Sequence, residues 1–239
     1  MSLYIKRLVL SSLLAILAFV SCSSCLTTKN SRPPAPAAVQ KLWPSIAKVM
    51  EVSLSPERDP WVATGWAIDE DHLVTAGHFC ASWEKDYKGK LVDSNIRVKV
   101  SDRWGMESII GSATMIDYRN KDTADYCVLY LENHGLVPLP LASKADLTLV
   151  ETEDPITICG APSGDFPITR SGYIWAIDNT SVYVSIFITP GFSGAPIIWK
   201  GKVIGNIVAL YDAPSTGVGA RIDKINEFYK KTLEKGKKK

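Results

Sequence analysis

Twelve short runs rich in β-branched and aromatic residues, each closed off by Gly, Pro, Asp or Asn, constrain this chain more than any other feature. Six fall at 46–53, 62–68, 72–76, 96–100, 109–116 and 126–131. Six more fall at 155–160, 169–177, 181–186, 195–199, 203–210 and 217–222. Runs this short, in a chain where helical periodicity is scarce, read as strands. Residues 132–150 carry turn and polar signals and read as the crossing between the two groups. Two sets of six strands suit an all-β fold of two packed six-stranded antiparallel β-barrels. The hydrophobic share of 46% supplies a core for both. From Asp223 the pattern turns helical, with Ile225, Phe228, Tyr229 and Leu233 on one stripe and Asp223 placed as N-cap. The expected order is barrel one over about 41–140, barrel two over about 150–222 and a C-terminal α-helix over about 223–235, all within a domain of residues 41–236. No internal repeat is present at solenoid or propeller spacing.

The first 21 residues read as a signal peptide. Lys6 and Arg7 are followed by an apolar core from Leu8 to Val20, too short to span a bilayer comfortably. Phe19-Val20-Ser21-Cys22 resembles a bacterial lipobox, with Phe19 where Leu is usual. The resemblance implies export to the periplasm or cell envelope and a lipid anchor at Cys22; ordinary cleavage between about residues 21 and 26 is the alternative. Residues 22–40, with Arg32-Pro33-Pro34-Ala35-Pro36, read as a Pro/Ser-rich tether. Removing residues 1–21 takes away two bases and no acid, which leaves 25 basic against 25 acidic residues. Such a balance gives no field for nucleic acid. The Lys-rich end, Lys235 and 237–239, reads as a solvated tail.

Beyond the leader and the tether, which hold Cys22 and Cys25, the cysteines are Cys80, Cys127 and Cys159. Three buried thiols are the favoured reading. The alternative is a Cys80–Cys127 bridge, because Cys80 follows His78 by two and Cys127 follows Asp125 by two. No zinc-type Cys/His spacing is present in the folded part, so neither a metal nor another cofactor is expected.

Three histidines could serve as a base. His72 beside Asp69, Glu70 and Asp71, and His134 beside Gly135, read as exposed turn residues. His78 follows an apolar strand ending in Thr75-Ala76-Gly77, where small residues allow close packing at a cleft. Asp125 heads the apolar run Tyr126-Cys127-Val128-Leu129, and a buried carboxylate needs a partner such as an imidazole N–H. Asp122 beside Lys121 reads as solvated, and Asp117 as preceding a turn at Tyr118-Arg119-Asn120. Ser193 lies between Gly191 and Gly194. The glycines let the Gly191 and Ser193 N–H groups aim at one point, where an oxyanion would form. A serine needs such help, together with a base and an orienting acceptor, to act as a nucleophile.

The order His78, Asp125, Ser193 is that of chymotrypsin-type triads. Several segments resemble the trypsin-like superfamily, above all its HtrA (Deg) and related bacterial or phage branches. They are Trp43-Pro44-Ser45-Ile46, Gly65-Trp66-Ala67-Ile68 with Leu73-Val74-Thr75-Ala76-Gly77-His78, and Gly160-Ala161-Pro162-Ser163-Gly164 with Thr169-Arg170-Ser171-Gly172-Tyr173-Ile174. Lys202-Val203-Ile204-Gly205-Asn206 completes the match, which covers about 41–232. The resemblance implies a chymotrypsin-like fold and a serine endopeptidase acting on proteins or peptides. In that reading His78 is general base, Asp125 its orienter, Ser193 the nucleophile, and the Gly191 and Ser193 amides the oxyanion hole. Phe187 and Leu210 would border the primary specificity pocket and favour small or apolar residues. Phe192 departs from the family, which places Asp or Asn there. That departure argues against zymogen-type activation and leaves the preformation of the hole open. A catalytically silent binding or scaffold protein is therefore the alternative. No PDZ segment follows the domain, which speaks against peptide-regulated HtrA assembly.

Overall fold

The structure is a computed structural model that describes residues 41–51, 61–86, 96–101, 106–121, 124–210 and 216–236. The signal peptide, the tether, Cys22, Asp122 and the final lysines lie outside the described residues. The first group of strands is β1 (Ile46–Glu51), β2 (Val62–Ala67), β3 (His72–Thr75), β4 (Ile96–Ser101), β5 (Glu107–Lys121) and β6 (Ala124–Tyr130). These close into an antiparallel barrel in the order β1-β2-β3-β6-β5-β4. The second group is β7 (Pro155–Gly160), β8 (Ile168–Ile177), β9 (Ser181–Ser185), β10 (Pro196–Trp199), β11 (Lys202–Leu210) and β12 (Thr216–Arg221). It closes in the order β10-β11-β12-β9-β8-β7. Closure satisfies the strand edges that an open sheet would leave as sites for aggregation.

Helix α1 (Gly77–Asp86) leads directly out of β3 and α2 (Lys144–Leu147) lies in the crossing segment. Helix α3 (Ile222–Gly236) follows β12. Helix α1 was not expected from the sequence. Strand β5 also runs further than expected, so Asp117 stands within a strand rather than before a turn. Asp223 lies in the first turn of α3 instead of capping it, and Arg221 donates to both of its oxygens at 3.0 and 3.1 Å.

Alternation along β2 serves two cores at once. Ala63 and Ala67 face the interior of barrel one, while Trp66 joins the core that runs through barrel two. Strand β6 repeats the pattern, with Cys127 and Leu129 turned into barrel one and Tyr126 and Val128 into the other core. A strand buried on both faces reads as a continuous apolar run. Polar groups inside this seam are paired. The Trp66 indole N–H donates to Asn206 Oδ1 at 3.0 Å, and Asn206 Nδ2 donates to the Thr75 carbonyl at 3.4 Å.

Helix α3 starts from barrel two and docks on barrel one. Phe228 packs on Tyr126, 4.9 Å between ring centroids. The Tyr229 hydroxyl donates to Asp69, and His72 Nδ1 stands 2.8 Å from the same carboxylate. His72 is thus a packed residue between the Tyr130 and Tyr229 rings, not an exposed turn histidine. His134 is buried too, and its Nδ1 accepts the Leu136 N–H at 3.0 Å. Its own turn closes over the ring, a contact that residue spacing does not show.

Burial alone would raise the Asp69 pKa, but hydrogen bonds from Tyr229, the Asp71 amide and His72 hold it below the ordinary value. A carboxyl depressed in the folded state stabilises the fold above its unfolded pKa, near 4, and that contribution fades as pH falls through the folded pKa. Denaturant titrations between pH 2 and 6 should therefore show a steeper acid loss of stability in wild type than in Asp69→Asn. Parallel acid limbs would contradict this docking.

Candidate active site

Gly77 opens helix α1 where any side chain would collide. A Cβ there would lie 1.7 Å from the Arg119 carbonyl oxygen and 2.8 Å from Asp125 Oδ1. The close approach brings the next residue onto Asp125. The His78 backbone N–H donates to Asp125 Oδ1 at 2.6 Å, and His78 Nδ1 lies 2.6 Å from Oδ2. Asp125 is only 6% exposed, so its charge depends on these two partners. A carboxylate can only accept, which puts the ring proton on Nδ1 and leaves Nε2 as the basic nitrogen. The His78 side chain keeps 33% of its surface exposed.

Two residues past His78 in α1 and two past Asp125 in β6, Cys80 and Cys127 form a disulfide with their Cα atoms 6.5 Å apart. The expectation of three buried thiols is therefore corrected. Helix α1 and β6 converge on the His78–Asp125 pair, and that convergence brings the two sulfurs together. A cross-link over 47 residues stabilises by about 4 kcal/mol in the chain-entropy account. Among the described residues Cys159 alone is a free thiol; it is buried, and burial pushes its pKa up to about 11, so it stays protonated.

Ser193 lies in a pair of consecutive turns. Phe192 N–H donates to the Thr189 carbonyl at 3.2 Å, and Ala195 N–H to the Phe192 carbonyl at 2.8 Å. The third residue of each turn is a glycine at positive φ, Gly191 at 96° and Gly194 at 87°. Gly194 packs where a Cβ would lie 2.1 Å from the Thr64 carbonyl oxygen and 2.9 Å from the Ala76 nitrogen. The serine turn is thus seated against the residues that lead into α1.

The carbonyls of this loop are held one by one. Pro190 accepts from Ser163 N–H at 2.7 Å, Gly191 from the Thr64 hydroxyl at 2.7 Å, and Ser193 from Thr64 N–H at 2.8 Å. In a trans peptide the C=O and the following N–H point in opposite directions. Anchoring the Pro190 and Phe192 carbonyls therefore turns the Gly191 and Ser193 N–H groups away from those partners. Among the described residues neither N–H has an acceptor. Phe192 itself is fully buried, near Gly160, where a Cβ would lie 3.0 Å from its ring.

Phe187 is 52% exposed, and its ring lies 5.1 Å from the Arg170 guanidinium, which also lies 5.2 Å from the Phe192 ring. Arg170 Nη1 donates to the Phe187 carbonyl at 2.5 Å. The next residue, Ile188, turns inward and is 5% exposed. Gly217 faces it so closely that a Cβ would sit 2.7 Å from Ile188 Cγ1. Leu210 ends β11 opposite Gly217. Among the described residues no cluster of His, Cys, Asp and Glu could hold a metal.

A family model described as the trypsin-like peptidase domain matches residues 63–205, from within β2 to within β11. The chain belongs to the trypsin-like peptidase family. Solved structures with the same fold include Deg5, at 20% identity over 79% of this chain and 88% of that one, with a TM-score of 0.61. The active form of the Rv3671c protease from M. tuberculosis is 20% identical over 84% of this chain and 90% of that one, at a TM-score of 0.62. A serine endoprotease from Yersinia pestis is 15% identical over 84% and 68%, also at 0.62. No curated protein matches the chain.

Within this trypsin-like peptidase, His78 and Asp125 are joined directly, and Ser193 is seated on the segment leading to His78. Sequence reasoning missed Thr64, Ser163, Arg170 and Ile188. The first two act through hydrogen bonds between residues distant in the chain, which leave no periodic trace. Ile188 was legible in principle, since Ile186 and Ile188 alternate with Phe187.

Two outcomes check this geometry. Denatured without reductant, the protein should alkylate Cys159 but neither Cys80 nor Cys127. Phe192→Ala should cost about 3–5 kcal/mol in denaturant titrations, as for other fully buried aromatics; a cost below about 1 kcal/mol would place the ring outside the core.

Proposed function

We propose that the protein is a serine endopeptidase working through an acyl-enzyme. The observation that carries this reading is the Asp125 carboxylate bound to both the His78 backbone and its Nδ1, which leaves Nε2 as a base. In this mechanism Ser193 Oγ bonds to the scissile carbonyl carbon while its proton passes to His78 Nε2. The Gly191 and Ser193 N–H groups receive the negative oxygen. The C–N bond then breaks as His78 returns the proton to the leaving amine. Water, deprotonated by the same nitrogen, releases the acyl group and restores Ser193. The two unpaired N–H groups and the anchored carbonyls behind them support the oxyanion role, and an apolar Phe192 takes the place of a polar anchor.

Phe187, Leu210 and Gly217 border the primary pocket in this reading, and Ile188 closes its floor. A shallow apolar floor favours Ala, Val or another small residue before the scissile bond over Arg or Lys, whose charge would have no partner there. The substrates are therefore proteins or peptides. Export to the periplasm or cell envelope, with a lipid anchor at Cys22, belongs to the same proposal. The leader supports it, and so does the Cys80–Cys127 disulfide, a bond that persists in oxidising compartments.

The test is fluorophosphonate labelling with peptide turnover. Wild type should label, while Ser193→Ala and His78→Ala should not. Ser193→Ala should lose on the order of 10⁶ in kcat and Asp125→Asn about 10⁴. Peptides with Ala before the cleaved bond should exceed their Arg counterparts in kcat/KM by at least about tenfold. Folded wild type that neither labels nor cleaves would leave a binding protein on a protease scaffold.

A further inference from the structure

Thr64 is a fully buried polar residue on β2, in barrel one, yet its hydrogen bonds reach the serine loop of barrel two. Its hydroxyl donates to the Gly191 carbonyl at 2.7 Å and accepts the Ala161 N–H at 3.0 Å. Its backbone N–H donates to the Ser193 carbonyl at 2.8 Å, and its own carbonyl accepts from the Thr75 hydroxyl at 2.7 Å. The accepted bond from Ala161 fixes the direction of the hydroxyl proton toward Gly191. Gly160 leaves the space for this arrangement, since a Cβ there would lie 2.4 Å from Thr64 Oγ1.

We infer that Thr64 is a positioning residue for the oxyanion hole. The inference rests on the proposed acyl-enzyme reading and goes beyond it by naming what holds the hole open. Gly191, at a φ of 96°, has no side chain to limit its rotation. Its orientation is set by the bonds at either side, Ser163 on the Pro190 carbonyl and Thr64 on the Gly191 carbonyl. The Gly191 N–H lies in the Pro190–Gly191 plane that Ser163 holds, and Thr64 holds the next plane, Gly191–Phe192. Losing the Thr64 bond frees that second plane and, through the unrestrained φ and ψ of Gly191, loosens the N–H from its aim at the developing charge. Thr64 does not touch substrate; it acts through Gly191. Through this one side chain barrel one is linked to both the 161–164 turn and the serine loop. Assembly of the two barrels is thereby coupled to the readiness of Ser193.

The test compares Thr64→Val, which keeps the shape and removes the hydroxyl, with Thr64→Ser, which keeps the hydroxyl and removes the methyl. Folding is checked by near-UV circular dichroism, and rates are taken on folded protein well below Tm. Thr64→Val should lower kcat and the fluorophosphonate labelling rate by about 10- to 100-fold, less than the loss of a whole oxyanion donor. KM should stay within about twofold, and the pH profile set by His78 should not move, because the His78–Asp125 pair is untouched. Thr64→Ser should recover most of the lost rate. Folded Thr64→Val that labels as fast as wild type overturns the inference, as does Thr64→Ser impaired as deeply as Thr64→Val. Should Thr64→Val fail to fold, Thr64→Ser alone decides, with a loss beyond tenfold counting against the hydroxyl. Wild type that does not label removes the acyl-enzyme reading itself, an outcome distinct from a normal rate in Thr64→Val.

Discussion

Strands β2 and β6 are buried on both faces, and the position of every group in the site follows from that. Alternate side chains fill barrel one and the seam, so neither strand can shift without disrupting two cores at once. Closely packed interiors resist such shifts strongly. The seam is also where the polar clips lie. Thr64 and Asn206 cross between the barrels inside an apolar environment, where an unmade hydrogen bond has no water to replace it. The two barrels therefore meet in one register, and that register sets the serine loop against the start of α1.

Phe192 shows how the same loop can be anchored by different physics. Full burial of a large side chain supplies about 1.5–3 kcal/mol without any directional bond. The Arg170 guanidinium between the Phe187 and Phe192 rings adds a cation–π contact on the outer side. Neither force tells a peptide plane which way to face. Direction comes from the anchored carbonyls of Pro190, Gly191, Phe192 and Ser193. Burial holds the loop down, and hydrogen bonds aim it.

All twelve strands were legible because the period of two and the turn residues between runs are local signals. The pairing of His78 with Asp125 was legible because a carboxylate at the head of an apolar strand demands a partner. Helix α1 was not, since it begins at a glycine and buries Phe79, Cys80 and Ala81 in a row rather than on a stripe. The disulfide was visible only as matched offsets from two candidate residues, and nothing local decided between bridge and thiols. His72 and His134 misled because flanking acids and a glycine look the same whether a ring is exposed or packed against Tyr229 or its own turn. The Thr64 clips on the serine loop join residues more than a hundred positions apart, beyond the reach of any local pattern.

The most direct measurement is a crystal structure of the protein with a peptidyl boronic acid carrying Ala at the reactive position. Boron should be bonded to Ser193 Oγ, with one boronate oxygen within about 3.1 Å of both the Gly191 and Ser193 nitrogens. His78 Nε2 should lie within hydrogen-bond reach of the adduct, with Asp125 still on Nδ1. Unmodified Ser193 in the presence of bound inhibitor, or a Gly191 peptide turned so that the Pro190 carbonyl faces the boronate, would contradict it.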